Sequence, residues 1–201
     1  MQNESMTTDQ GSSDNTIDTS GESDARYAAE RLAHKRFGVE DFWHTHDFDA
    51  AFLRAIPAGL MTYLPALPFF FMATANARGE CDCSYRGREQ DAAGRPYSLV
   101  KIIDDRTLIF PDYSGNRYFN SLGNILVNGY IGMLFVDFER QRRIRINGQA
   151  SIIDDQRAYA GEWPLAQRYI SVTVEQVFGN CRSRIPRMQL ITATDSNHQH
   201  T

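Results

Sequence analysis

The stretch FPDYSGNRYFNSLGN, Phe110–Asn124, reads as the end of a strand, a turn through small and polar residues, and the opening of a helix. Phe110 closes an apolar run that begins at Thr107, and Asp112, Ser114 and Gly115 then punctuate the chain. The spacing that follows predicts a helix over about Arg117–Val127, with Asn116 as its N-cap. Asn116, Asn120, Asn124 and Asn128 then form a polar stripe, and Tyr118, Leu122, Ile125 and Leu126 the opposing apolar face. The free amides of the first turn, the positive end of the helix dipole and the Arg117 guanidinium would converge beside Ser114 and Gly115, which suits an anion. Taken alone, the same pattern also describes an ordinary capped helix with a solvent-facing arginine.

On either side of this stretch the chain is rich in short β-type runs: FFFMATA (69–75), ECDCSYR (80–86), SLVKII (98–103), TLIFPDY (107–113), IGMLFVDF (131–138), RRIRINGQASII (142–153) and YISVTVEQVF (169–178). Asn76 to Gly79 should turn the first into the second, and Asp104-Asp105 the third into the fourth. In the sixth run Ile144, Ile146, Gly148, Ala150 and Ile152 share one face, while Arg143, Arg145, Asn147, Gln149 and Ser151 share the other. IGMLFVDF is apolar on both faces, which predicts a central strand covered on each side, with another subunit as the economical cover. Residues 25–64 read as helical with a break or kink at Pro57, and a short helix is expected near Ala158–Gln167. The fold class is therefore mainly β, a barrel with peripheral helices rather than a doubly wound sheet.

Composition narrows the function classes. The 201 residues suit one core, since a domain usually takes about 100–200 residues. Residues 1–24 hold six acids, no Lys or Arg and little apolar surface, and read as a disordered acidic tail. Setting those six aside leaves 19 acidic against 21 basic residues, a balance of +2, which is weak for a nucleic-acid or membrane-surface protein. No run of about 18 apolar residues is present to span a bilayer and the N-terminal stretch lacks a signal-peptide pattern, so the expectation is a cytoplasmic protein. Lys35 and Lys101 are the only lysines, and the remaining basic residues are arginines, whose planar fork suits phosphate and carboxylate; a GC-rich coding sequence would give the same bias. Cys81, Cys83 and Cys181 read as plain thiols rather than a disulfide framework or metal site. His44 and His46 read as surface histidines with no third ligand nearby, so no metal is expected. No G-x-S-x-G elbow, P-loop or G-x-G-x-x-G motif occurs, and no histidine lies between His46 and His198.

The FFFMATANARGECDCSYRG hairpin, the DDRTLIFPDYSGNRYFNSLGN segment with its Asp112-Tyr113 turn, the two-sided apolar strand and the RRIRINGQA strand follow one another in an order that resembles the pyridoxamine 5'-phosphate oxidase-like, FMN-binding split-barrel family. The resemblance covers about Pro68–Ile153, and more loosely extends through Arg187. It implies a split-barrel flavin-binding domain over 67–190, preceded by a helical extension at 25–66 and followed by a flexible tail at 191–201. It also implies a homodimer with FMN at the interface and a small-molecule substrate; from the weak charge balance, neither a nucleic-acid nor a membrane partner is expected.

By the same resemblance, Arg86 and the Tyr113, Ser114, Asn116 and Arg117 turn would hold the FMN phosphate. Backbone around Ser84–Gly87 and Leu99–Lys101 would run beside the flavin ring, and Arg143 and Arg145 would reach the cofactor, from the partner chain in one version. Arg187, in the C-terminal NCRSRIPR, stands where family members often close the site. The implied function is an FMN-dependent oxidoreductase; a non-enzymatic flavin-, deazaflavin- or haem-binding barrel is the alternative. The Arg88–Tyr97 insertion and the missing C-terminal arginine and histidine pattern both depart from the vitamin-synthesising oxidase itself.

Overall fold

The computed structural model describes residues 27–46 and 48–190. The acidic tail at 1–24, the C-terminal tail at 191–201 and the side chain of His44 lie outside the described residues. The chain divides into two units, one ending at Ala50 and one beginning at Ala51. The first contains helices α1 (Ala28–Phe37) and α2 (Glu40–His44). Gly38 ends α1 at φ 67°, a left-handed conformation that a residue without a Cβ adopts freely. His34 stacks on Trp43 with ring centroids 5.4 Å apart and meets the edge of Phe48 at 5.0 Å.

The second unit opens with two single-turn helices, α3 (Ala58–Met61) and α4 (Tyr63–Ala66). Residues 51–66, grouped with the N-terminal helices in the sequence reading, belong to this unit. The helix expected to run through residues 52–57 does not form. Leu53 instead exchanges backbone hydrogen bonds of 2.9 and 2.7 Å with Val177, and Pro57 has extended backbone just before α3.

Among the described residues seven strands follow: β1 (Phe69–Ala75), β2 (Cys81–Gly87), β3 (Lys101–Asp104), β4 (Thr107–Asp112), β5 (Tyr130–Asp137), β6 (Arg142–Ile153) and β7 (Arg168–Gly179). They form one antiparallel sheet in the order β2-β1-β5-β6-β7-β4-β3. Three strands separate β1 from β4 in that order, yet Phe70 and Phe110 meet edge to face with ring centroids 5.2 Å apart. The sheet therefore curls around its core, and β2 and β3 are left as the two free edges: a split barrel.

Alternation fills the interior. Phe70 and Met72 of β1, Met133 and Phe135 of β5, Ile144 and Ile146 of β6, and Val172 and Val174 of β7 are all buried in the main core. β4 and β7 also bury their other face, where Ile109, Trp163 and Tyr169 form a second cluster. The connection before β7 supplies part of that cluster in place of the expected helix. Gly161 and Pro164 interrupt the segment, leaving the turn closed by Trp163 N–H on Tyr159 O at 3.0 Å. Trp163 Nε1 donates to Ser98 O at 2.6 Å. The Arg88–Tyr97 insertion is an ordered hairpin: Asp91 Oδ1 accepts the Ala93 and Arg95 amides at 2.9 Å each, and Gln90 bridges Pro96. No helix among the described residues is long and apolar enough to cross a membrane.

Candidate functional site

Between the end of β4 and the fifth helix, α5 (Asn120–Val127), the chain does not continue directly into helix. Asn116 Oδ1 accepts the Tyr118 amide at 3.0 Å, so this side chain closes an Asx turn instead of capping the helix. Arg117 and Phe119 both have positive φ, 65° and 57°, and α5 begins three residues later than the spacing predicts. Its buried face is Ser121, Leu122 and Ile125; Tyr118 and Leu126, expected on that face, are each 75% exposed. Of the asparagine stripe, Asn124 reaches inward and donates to Thr74 Oγ1 at 3.0 Å.

The detour opens a cleft of about 270 Å³ between the end of β2, the β4–α5 turn and the first turn of α5. Phe119 stands at the N-cap and offers no side-chain acceptor, so the first turn of α5, whose Asn120, Ser121 and Leu122 line the cleft, has no side-chain cap. Side chains from three elements are linked along its wall. Ser121 Oγ donates to Asp82 Oδ2 at 2.7 Å and lies 3.2 Å from Ser84 Oγ, which accepts Arg86 Nε at 3.3 Å. Arg86 Nη1 then reaches Asp112 Oδ1 at 2.9 Å, tying edge strand β2 to the end of β4 across the split of the barrel. Asp112 Oδ2 accepts Arg168 Nη1 at 3.1 Å, and the Arg168 guanidinium lies over the Phe119 ring at 5.4 Å.

Six of the residues anticipated from sequence meet at this cleft: Ser84, Arg86, Tyr113, Ser114, Asn116 and Arg117. Burial first of all pushes the Tyr113 hydroxyl up to about 12, so it is a neutral phenol at physiological pH. Arg117 is exposed at the rim and has no ion-pair partner among the described residues. Gly87 ends β2 outside the lining. Lys101 sits elsewhere, with Nζ 3.0 Å from Glu162 Oε2 and 5.9 Å from the Tyr159 ring. Arg143 and Arg145 point to the outer face of β6, where Arg145 lies over Phe178 at 5.4 Å, so the same chain does not bring them to the cleft. Arg187 belongs to the segment held at the β5–β6 turn, where Met188 N–H meets Phe138 O and Gln141 Nε2 donates to Ile185 O at 2.7 Å.

Sequence reasoning missed Asp82, Ser121 and Arg168, and read Asp112 only as part of a turn. Asp82 and Ser121 carry no motif; their pairing depends on α5 lying against β2. Arg168 meets Asp112 through the β4–β7 register, which pairs these two positions. Among the described residues no group of three or more His, Cys, Asp or Glu could hold a metal ion.

The sequence model of a family described as Pyridoxamine 5'-phosphate oxidase matches residues 56–194. None of the curated proteins is a significant match. Similar solved structures include HupZ from Group A Streptococcus, 20% identical, covering 67% of this chain and 100% of that one, with a TM-score of 0.47. A putative pyridoxamine 5'-phosphate oxidase from Lactobacillus delbrueckii is 16% identical over 63% of this chain and 99% of its own, with a TM-score of 0.45. An FMN-binding protein from Syntrophomonas wolfei is 12% identical over 61% of this chain and 87% of its own, with a TM-score of 0.42.

Proposed function

Because the chain belongs to the pyridoxamine 5'-phosphate oxidase family, whose sequence model takes in residues 56–194, we propose that it is an FMN-dependent oxidoreductase acting on a small molecule as a homodimer. The observation that carries this reading is the cleft beside Arg86 and Arg117. Its lining brings together Arg86, Arg117, Ser84 and Ser114 with Asn120–Leu122, the first turn of a helix that has no side-chain cap. That donor set fits a phosphate monoester: planar forks and main-chain N–H groups bind oxyanions, and each charge-assisted hydrogen bond adds roughly 1.5–3 kcal/mol. A bound flavin would supply hydride or electron transfer, and the protein would supply position and electrostatics.

In this reading Arg86 and Arg117 anchor the phosphate. Arg86 is held in place by Ser84 and Asp112, whereas Arg117 is free to close on the ligand from the rim. Arg143 and Arg145 serve the cofactor of the partner chain, since their own face is turned away from the cleft. The neutral Tyr113 phenol closes the wall without adding negative charge.

Absorbance spectra of the purified protein, taken before and after incubation with FMN and desalting, test the assignment. The wild type is expected to keep the flavin bands, and an Arg86→Ala/Arg117→Ala double variant to lose them while remaining folded. Arg168 still pairs with Asp112 in that variant, so no buried carboxylate is left without a cation. Unchanged flavin content in the double variant, or a wild type that takes up no FMN, would overturn the proposal. Bleaching of the bound flavin by NAD(P)H under anaerobic conditions would distinguish a reductase from a protein that only carries the cofactor.

A further inference from the structure

The charges that line the cleft cancel. The lining holds Arg86 and Arg117 with Asp82 and Asp112, two of each sign, so its donors act from a wall that carries no net charge of its own. The positive excess comes from a residue behind the lining. Asp112 is only 8% exposed, and each of its oxygens is taken by a different arginine: Oδ1 by Arg86 at 2.9 Å and Oδ2 by Arg168 at 3.1 Å. Arg168 is itself 23% exposed and lies against Phe119.

We infer that Arg168 is a positioning residue for the phosphate end of the ligand, because it offsets Asp112 and leaves the Arg86 guanidinium as a net cation toward the cleft. This rests on the reading of the cleft as a phosphate site and identifies which residue gives it its sign. With Arg168 present, the cluster of Arg86, Asp112 and Arg168 carries one positive charge. Without it, the whole charge of Asp112 falls on Arg86, and the pair becomes neutral. The effect is strong here because Asp112 is buried, where screening by water and salt is weak. Arg168 need not touch the ligand, and its influence should be confined to the ligand's charge.

Riboflavin, which has the same ring but no phosphate, is the control. Dissociation constants of FMN and riboflavin are measured by flavin fluorescence for the full-length wild type and for Arg168→Ala, Arg168→Lys and Asp112→Asn. The preference for FMN over riboflavin is expected to fall about tenfold in Arg168→Ala, to persist in Arg168→Lys, and to rise above wild type in Asp112→Asn. A purely structural role for Arg168 would weaken both ligands together and leave the ratio unchanged, which would overturn the inference while flavin binding itself stood. A reduced preference in Asp112→Asn would also overturn it. A wild type that binds riboflavin as tightly as FMN, or binds neither, removes the phosphate site on which the inference rests.

Discussion

Tyr63 donates a hydrogen bond of 2.6 Å to Asp137 Oδ2, joining α4 to the end of β5 across 74 positions of sequence. Arg140 closes the same carboxylate, with its amide on Oδ1 at 2.8 Å and its guanidinium 3.1 Å from Oδ2. Burial raises the Asp137 carboxyl, but the hydrogen bonds from Tyr63 and Arg140 outweigh it and hold the group below its ordinary value. The Tyr63 hydroxyl is pushed up to about 12, first by burial and then by its bond to Asp137.

The two shifts act at opposite ends of the pH range. Asp137 has a folded pKa below its unfolded one, so its contribution is present above the unfolded value and is lost as pH falls through the folded value. Tyr63 has a raised folded pKa, so its contribution is present below pH 10 and is lost as pH rises toward about 12. Tyr63→Phe should cost about 1–2 kcal/mol at neutral pH and flatten both limbs of the stability profile. Urea unfolding between pH 3 and pH 11 checks this. A profile parallel to the wild type's would count against the coupling.

A second prediction concerns Gly148, where the β6–β7 register shifts. A Cβ placed there would lie 2.1 Å from Thr173 O and 3.2 Å from Val174 Cα, both in the neighbouring backbone. Neither can swing aside as a flexible side chain would. Gly148→Ala should therefore destabilise the barrel by about 2–3 kcal/mol and lower Tm by roughly 5–10 °C. Calorimetry decides it, and an unchanged Tm would mean that β7 yields at the bulge.

The strands were far more legible than the site. β1 and β6 span the residues expected because their inward and outward positions alternate without interruption, and β5 reads as central because it is apolar on both faces. The start of α5 was not legible. Arg117 and Phe119 take positive φ without glycine to mark it, and tertiary contacts from Ser121 and Asn124 set where the helix begins. The strand-end arginine and the Ser114–Arg117 turn could be found as a local pattern. The Asp112–Arg168 pair could not, because 56 residues separate its members and only the register of β4 against β7 makes them neighbours.

Of the three cysteines, Cys181 should be the most reactive. Hydrogen bonding from Ser183 holds its thiol below the ordinary value, and the nearby Arg143 acts in the same direction. All three thiols are exposed, so thiolate character rather than access should separate them. Iodoacetamide at pH 7.5 should label Cys181 about two- to fivefold faster than Cys81 or Cys83, and Arg143→Gln should narrow that gap. Peptide mass mapping of the time course measures this; equal labelling of all three would contradict the expectation.

The proposed homodimer makes a demand on the outer face of the sheet. Register places Phe71 of β1 between Tyr85 of β2 and Leu134 of β5, and Leu134 is followed by Arg145 of β6. Phe69 continues the apolar row, with its ring 5.3 Å from Tyr85 and 6.2 Å from Phe138, while Tyr85 is 61% exposed. A contiguous aromatic patch of this kind on a sheet face is a common mark of a protein interface. Leu134→Arg would set a second cation beside Arg145 at the middle of the patch, where it has no acid opposite it in the register. The expected outcome is a folded protein whose mass by light scattering is half that of the wild type. A Leu134→Arg protein that remains dimeric would move the interface to another face, and a wild type that is monomeric at micromolar concentration would remove the homodimer from the proposal.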